Sequence, residues 1–207
     1  MSDQGTPTTV GGILKNNLWH QNPIFMQVLG ICSALAVTNL LSNTVIMTIG
    51  VVFVTGMSNL TVSILKKLMP RKVRMIVQTL IIAFYVIIVD IVLKAVLPGI
   101  SRSLGPYVGL IITNCIIMGR AEAFAQSNPP IPSLWDGITS GMGYMGVLLV
   151  IAFIRELFGF GTLMGVQILG DWWVPWTIMV MPPSAFFLLG VIIWVGKSIM
   201  NREGAPA

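Results

Sequence analysis

From residue 23 onward the chain is a series of long apolar runs separated by short polar punctuation, and six runs can be marked. They extend from Pro23 to Leu41, Val45 to Leu65, Val73 to Leu97, Tyr107 to Gly119, Leu134 to Leu157 and Thr177 to Val195. A helix crosses the roughly 30 Å hydrocarbon core of a bilayer with about 20 residues. Most of the runs reach that length, so the pattern predicts an all-α protein with six transmembrane helices. Two runs are flawed. The fourth is short, is interrupted by Thr113-Asn114-Cys115 and leads directly into Arg120-Ala121-Glu122, and the first is broken by Gly30 and Ser33. Both read as discontinuous spans. They also hold the only two cysteines, Cys32 and Cys115, each nine positions after a proline, Pro23 or Pro106. Nine helical residues advance roughly 13 Å. If both spans enter the membrane at those prolines, both thiols lie near its midplane.

Orientation follows from lysine and arginine, which concentrate on the cytoplasmic side of membrane proteins. The loop from Lys66 to Arg74 carries five positive charges between spans two and three. With that loop inside, both termini are cytoplasmic. Nine of the twelve basic residues then fall inside, and only Lys94, Arg102 and Arg155 fall outside. Spans one and four run in opposite directions, and each is followed by two more spans. The chain therefore reads as three plus three helices with inverted topology. Such repeats place their functional site at mid-depth, where broken helices meet.

Composition agrees. The 207 residues are 55% hydrophobic and 9% charged, with a mean hydropathy of +0.88, against about 25% charged residues in a soluble domain. The net charge of +5 is that of a membrane chain with basic inside loops, and no basic run interleaved with aromatics points to nucleic acid. Residues 1–22 form a polar arm without the positive region of a secretory signal, with His20 read as a headgroup anchor beside Trp19. Residues 23–200 form the membrane domain, and residues 201–207 a cytoplasmic tail.

A lone cysteine in a span usually packs as a small hydrophobe. Two at matched depth on broken helices point to chemistry. Iron–sulfur clusters generally take four cysteines, so the pair is either a disulfide or half of a site that a second polypeptide completes. Among the acids, Asp90 stands four positions before Lys94, as an i, i+4 pair or as a carboxylate on a cation path. Asp136, early in span five, either complements the helix dipole or receives a cation. Arg155 and Glu156 are adjacent, cannot face each other on a helix, and need separate partners. Glu122 belongs to the cytoplasmic rim. The thirteen methionines read as packing residues, and Trp172, Trp173 and Trp176 as an interfacial belt. The sequence contains no nucleotide-binding glycine loop, catalytic triad or HExxH.

Asn22-Pro23, the run from Gln27 to Thr38 and the run from Val108 to Ala125 resemble the NqrD-type membrane subunits of sodium-translocating NADH:quinone oxidoreductases. The likeness continues through Val73–Gln78, Ile131-Pro132-Ser133 with Asp136-Gly137, Arg155-Glu156-Leu157 and Pro183–Phe187, covering Asn22 to Trp194. RnfE-type subunits of ferredoxin:NAD oxidoreductases are the related alternative. They tend to have Cys-Pro where this chain has Cys32-Ser33, whereas Asn17-Leu18-Trp19 and Met181-Pro182-Pro183 lean toward them.

The resemblance implies a partner of similar fold and opposite orientation, resembling NqrE. The two would share a [2Fe–2S] cluster at the midplane, each giving two cysteines, here Cys32 and Cys115. It further implies a place in a bacterial inner-membrane complex with NqrA, NqrB, NqrC and NqrF, which bind the flavins, NADH and ubiquinone. One electron at a time would cross the membrane, coupled to sodium transport, with Asp90 and Asp136 as candidates for the cation path. No catalysis is expected of the isolated subunit. The reading from another class is a stand-alone secondary transporter with inverted repeats and dispensable thiols.

Overall fold

The computed structural model describes residues 29–38, 40–70, 72–96, 98–163, 166–167 and 177–202. The polar arm with His20, the start of the first span and the tryptophan belt lie outside the described residues. So do the side chains of Cys32 and Pro106.

The described chain is helical apart from one antiparallel pairing of two residues with two, β1 (Thr162–Leu163) and β2 (Val166–Gln167). The helices are α1 (Ile31–Val37), α2 (Leu41–Leu65), α3 (Arg74–Val96), α4 (Pro98–Ile112), α5 (Cys115–Arg120), α6 (Pro130–Phe160), α7 (Thr177–Val180) and α8 (Pro182–Arg202). A single π-helical turn, Ala121–Ala125, continues α5. Among the described residues four segments are long and apolar enough to cross a membrane, Leu41–Leu65, Arg74–Val96, Tyr107–Ala125 and Pro130–Phe160. These match the second to fifth expected spans, and the protein is a multi-pass membrane protein. The apolar part of α8, Pro183–Ile199, is shorter.

The break expected in the fourth span is present, and of the one expected in the first span the described residues show the C-terminal side. There Gly30 has φ 95° and precedes α1, a left-handed conformation that costs glycine little. Ser33, expected to share in this break, lies inside α1. The fourth span breaks where α4 ends at Ile112, and Asn114 restarts the helix by accepting the Ile116 N–H on its side-chain oxygen at 3.2 Å, the usual role of asparagine at an N-cap. One expectation shifts. α4 begins at Pro98, where a missing N–H costs nothing, so Pro106 lies inside that helix and does not mark its start.

The centre of the fold is the contact between α2 and α6. Val52 meets Gly141 and Asn59 meets Gly137, so the two helices run antiparallel. A Cβ on Gly137 would stand 2.8 Å from the Thr55 carbonyl oxygen and 3.0 Å from the Gly56 Cα. Membrane helices approach this closely only where small residues face each other. Around this contact Val51, Ile82, Ile111, Ile116, Tyr144, Leu148 and Ile151 form the buried core. The α2 hydroxyls of Thr44, Thr48, Thr55 and Thr61 donate to carbonyls four residues back, which keeps each polar group paired in an apolar medium. α3 leaves Ile76, Leu80, Phe84 and Ile91 exposed, a face suited to lipid or another subunit.

Two apposed helix breaks

The breaks in the first and fourth spans face each other. The Gly30 N–H donates to Cys115 Sγ at 3.0 Å, across 85 positions of sequence. Cys115 opens α5, is half-buried and carries a free thiol. Cys32 is the second residue of α1, two positions beyond Gly30, so the backbone carries it to the same junction.

Tyr144 of α6 closes this junction. Its ring packs on Gly30 so closely that a Cβ there would stand 2.7 Å from Tyr144 Cε2 and 3.2 Å from Ile116 Cδ1. The Asn114 amide lies 3.5 Å from the Tyr144 hydroxyl. Sequence reasoning missed Tyr144. Its single cue is a polar-tipped ring eight positions after Asp136 in an otherwise apolar and glycine-rich stretch.

α6 also measures depth. Near one end, buried Asp136 is held by buried Arg120: Nε donates to Oδ2 at 3.1 Å, Nη2 pairs with Oδ1, and the guanidinium sits 5.7 Å from the Phe124 ring centroid. Near the other end, buried Glu156 accepts the Leu41 N–H at 2.6 Å, capping the start of α2. Arg155 turns elsewhere, donating to Thr38 Oγ1 at 2.6 Å and to the carbonyls of Met179 and Met181 at 3.2 and 3.4 Å. The separate partners required by adjacency are therefore found. Twenty residues of helix span about 30 Å, and Tyr144 lies about 12 Å from the Asp136 level and about 18 Å from the Glu156 level. The apposed breaks sit near the middle of that interval.

The remaining acids lie apart from the junction. Asp90 receives Lys94 Nζ at 2.6 Å, with the lysine side chain 64% exposed, so Asp90 and Asp136 answer to different cations. Glu122 pairs with Arg74 and accepts from Gln78 Nε2 at 3.0 Å, tying the π turn to α3. Among the described residues no group of three or more His, Cys, Asp or Glu is arranged to hold a metal ion.

The donor set at the junction fits half of a [2Fe–2S] cluster. It brings the Cys115 thiol to the backbone turn that leads into Cys32, with a backbone N–H directed at sulfur, a contact that tunes such clusters. It does not offer four ligands from one chain.

Comparison with known proteins agrees with this architecture. Residues 10–193 match the family model described as Rnf-Nqr subunit, membrane protein. A Pseudomonas paraeruginosa protein, named as the D-type subunit of Na(+)-translocating NADH-quinone reductase, is 53% identical over 205 residues, covering 96% of this chain and 92% of the relative. Proteins of the same name from Pseudomonas aeruginosa and a Shewanella species are 52% and 50% identical, over 90% and 92% of this chain and 85% and 93% of their own lengths.

Proposed function

The chain belongs to the Rnf-Nqr family of membrane subunits, and on that premise we propose that it is a subunit of a sodium-translocating NADH:quinone oxidoreductase, holding half of an intramembrane [2Fe–2S] cluster. The observation that carries this reading is the Gly30 N–H to Cys115 Sγ contact, which joins the two broken spans at their cysteine-bearing ends. The names of the relatives favour a quinone-reductase assembly over a ferredoxin-linked one. A stand-alone transporter would have no need to bring both cysteine segments to one junction.

In this role Cys32 and Cys115 supply two thiolates, and a partner resembling NqrE supplies the other two. Bound there, the cluster provides one-electron transfer at mid-depth. The chain's own residues do the holding. Gly30 lets α1 start inside the membrane and directs its N–H at sulfur, Asn114 restarts α5 so that Cys115 faces that N–H, and Tyr144 fixes both turns against α6. The element order after each break is a half-helix, a long helix and a further helix segment, which supports a three-plus-three inverted repeat; the placing of both termini in the cytoplasm, across a bacterial inner membrane, rests on the basic residues and the resemblance. Both acids proposed for a cation path already hold a fixed counter-charge, Asp90 from exposed Lys94 and Asp136 from buried Arg120.

The test is iron content and paramagnetic resonance of the co-purified complex. Cys32→Ala and Cys115→Ala should each remove two irons per complex and one [2Fe–2S] signal while the other cofactors remain. Full iron and an unchanged spectrum in both variants would exclude these ligands.

A further inference from the structure

On α6, Asp136, Ser140 and Tyr144 recur every four residues, so they stack along one face, leading from the Arg120–Asp136 pair to the apposed breaks. All three are fully or almost fully buried. Ser140 Oγ has no hydrogen-bond partner among the described residues. Neither side-chain atom of Asn59 on α2 has one either, although Asn59 is 0% exposed. Its amide nitrogen lies 2.9 Å from where a Cβ on Gly137 would stand, one turn from Ser140. At the Tyr144 end, Thr48, Asn114 and Tyr144, with Val51 and Ile111 among their apolar neighbours, line a cavity of about 10 Å³, close to the space one water needs.

Unpaired buried polar groups are costly; on the Asp136 side of Tyr144 they include Asn59 and Ser140, and on the other side the first is Glu156 Oε1, three turns farther along α6. Beyond Tyr144 the buried positions of α6 are Val147, Leu148, Ile151 and Ala152, apolar until Arg155. The occupant must both accept from the Asn59 nitrogen and donate to its oxygen. A metal cation cannot do both, and Arg120 already neutralises Asp136 beside it. Water can do both.

We propose that Asp136, Ser140 and Tyr144, with Asn59, line a narrow track of ordered water from the Arg120–Asp136 end to the apposed breaks, sealed on the far side by the apolar stretch from Val147 to Ala152. The track gives the mid-depth site one-sided contact with a polar medium, where a change of charge is cheaper than in hydrocarbon. It stands whatever the thiols hold, since none of its lining groups is a sulfur.

The experiment is hydroxyl-radical footprinting of the assembled, unmodified complex, read by mass on this subunit, because the radical forms from bound water and needs no more room than water does. Tyr144 should oxidise within fivefold of half-buried Tyr85, as water-contacting rings do, and protection beyond fivefold overturns the proposal.

Discussion

Gly30→Ala is the sharpest perturbation of the apposed breaks. Two costs arise at once. At φ 95° an L-residue loses roughly 1–2 kcal/mol relative to glycine. The new methyl would also meet Tyr144 Cε2 at 2.7 Å and Ile116 Cδ1 at 3.2 Å, and overpacking of this kind costs typically about 1–3 kcal/mol. Tyr144 cannot easily retreat, because it is 1% exposed. The sum is roughly 2–5 kcal/mol, equivalent to about 30-fold to a few thousand-fold in an equilibrium constant. Gly30→Asn separates the two costs: asparagine tolerates the left-handed region better but carries the same Cβ, so it should recover only the conformational part. The assay is the amount of assembled complex in membranes and its half-life at a fixed elevated temperature, with the reactivity of Cys115 as local readout. Both quantities should fall, and Cys115 should react faster as α1 withdraws. If Gly30→Ala stays within twofold of the parent in abundance and half-life, the close approach of the two breaks is wrong.

Two other outcomes follow from packing and charge. Gly137→Ala should destabilise the complex more than most single core changes, because the methyl would meet backbone of the opposing helix at 2.8 and 3.0 Å. Gly146→Ala on the same helix, with no atom within 4 Å, should be tolerated or slightly stabilising; equal heat-challenge survival of the two would contradict the α2–α6 contact. Arg120→Leu and Asp136→Leu should each cost about 3–5 kcal/mol by leaving one charge buried alone. The double substitution should restore most of the lost yield, and full assembly of either single variant would refute the pairing.

Much of this architecture was legible in the sequence because hydrocarbon imposes few rules and strict ones. Apolar run length marked the four crossing segments, and polar or glycine interruptions at Gly30 and Thr113-Asn114 marked the breaks. Adjacency at Arg155-Glu156 required separate partners, and they have them. The Asp90–Lys94 spacing anticipated the ion pair observed. What escaped was lateral. Nothing local to Asp136 announces Arg120 as its partner, because the pair forms only when the chain folds back between α5 and α6. Nor does Tyr144 announce that it closes both breaks. Pro106 misled for the opposite reason: proline is read as a helix boundary, but α4 had already begun at Pro98.

The distribution of polarity with depth bears on what the thiols are for. Along α6 the buried charges sit at two levels about 30 Å apart, toward the edges where the cost of charge in a bilayer falls. Between them the junction is closed by neutral groups: a glycine N–H, an asparagine amide and a tyrosine hydroxyl. Breaking a helix at mid-depth frees backbone donors that hydrocarbon cannot satisfy, and one of those donors, at Gly30, is aimed at sulfur. A bare thiol is a weak acceptor, a poor choice if Cys115 only fills space. A sulfur carrying negative charge, as a metal thiolate does, is a far better one. The N–H aimed at sulfur is thus the feature of this break that the proposed ligation of Cys115 would use and that a packing thiol would not need.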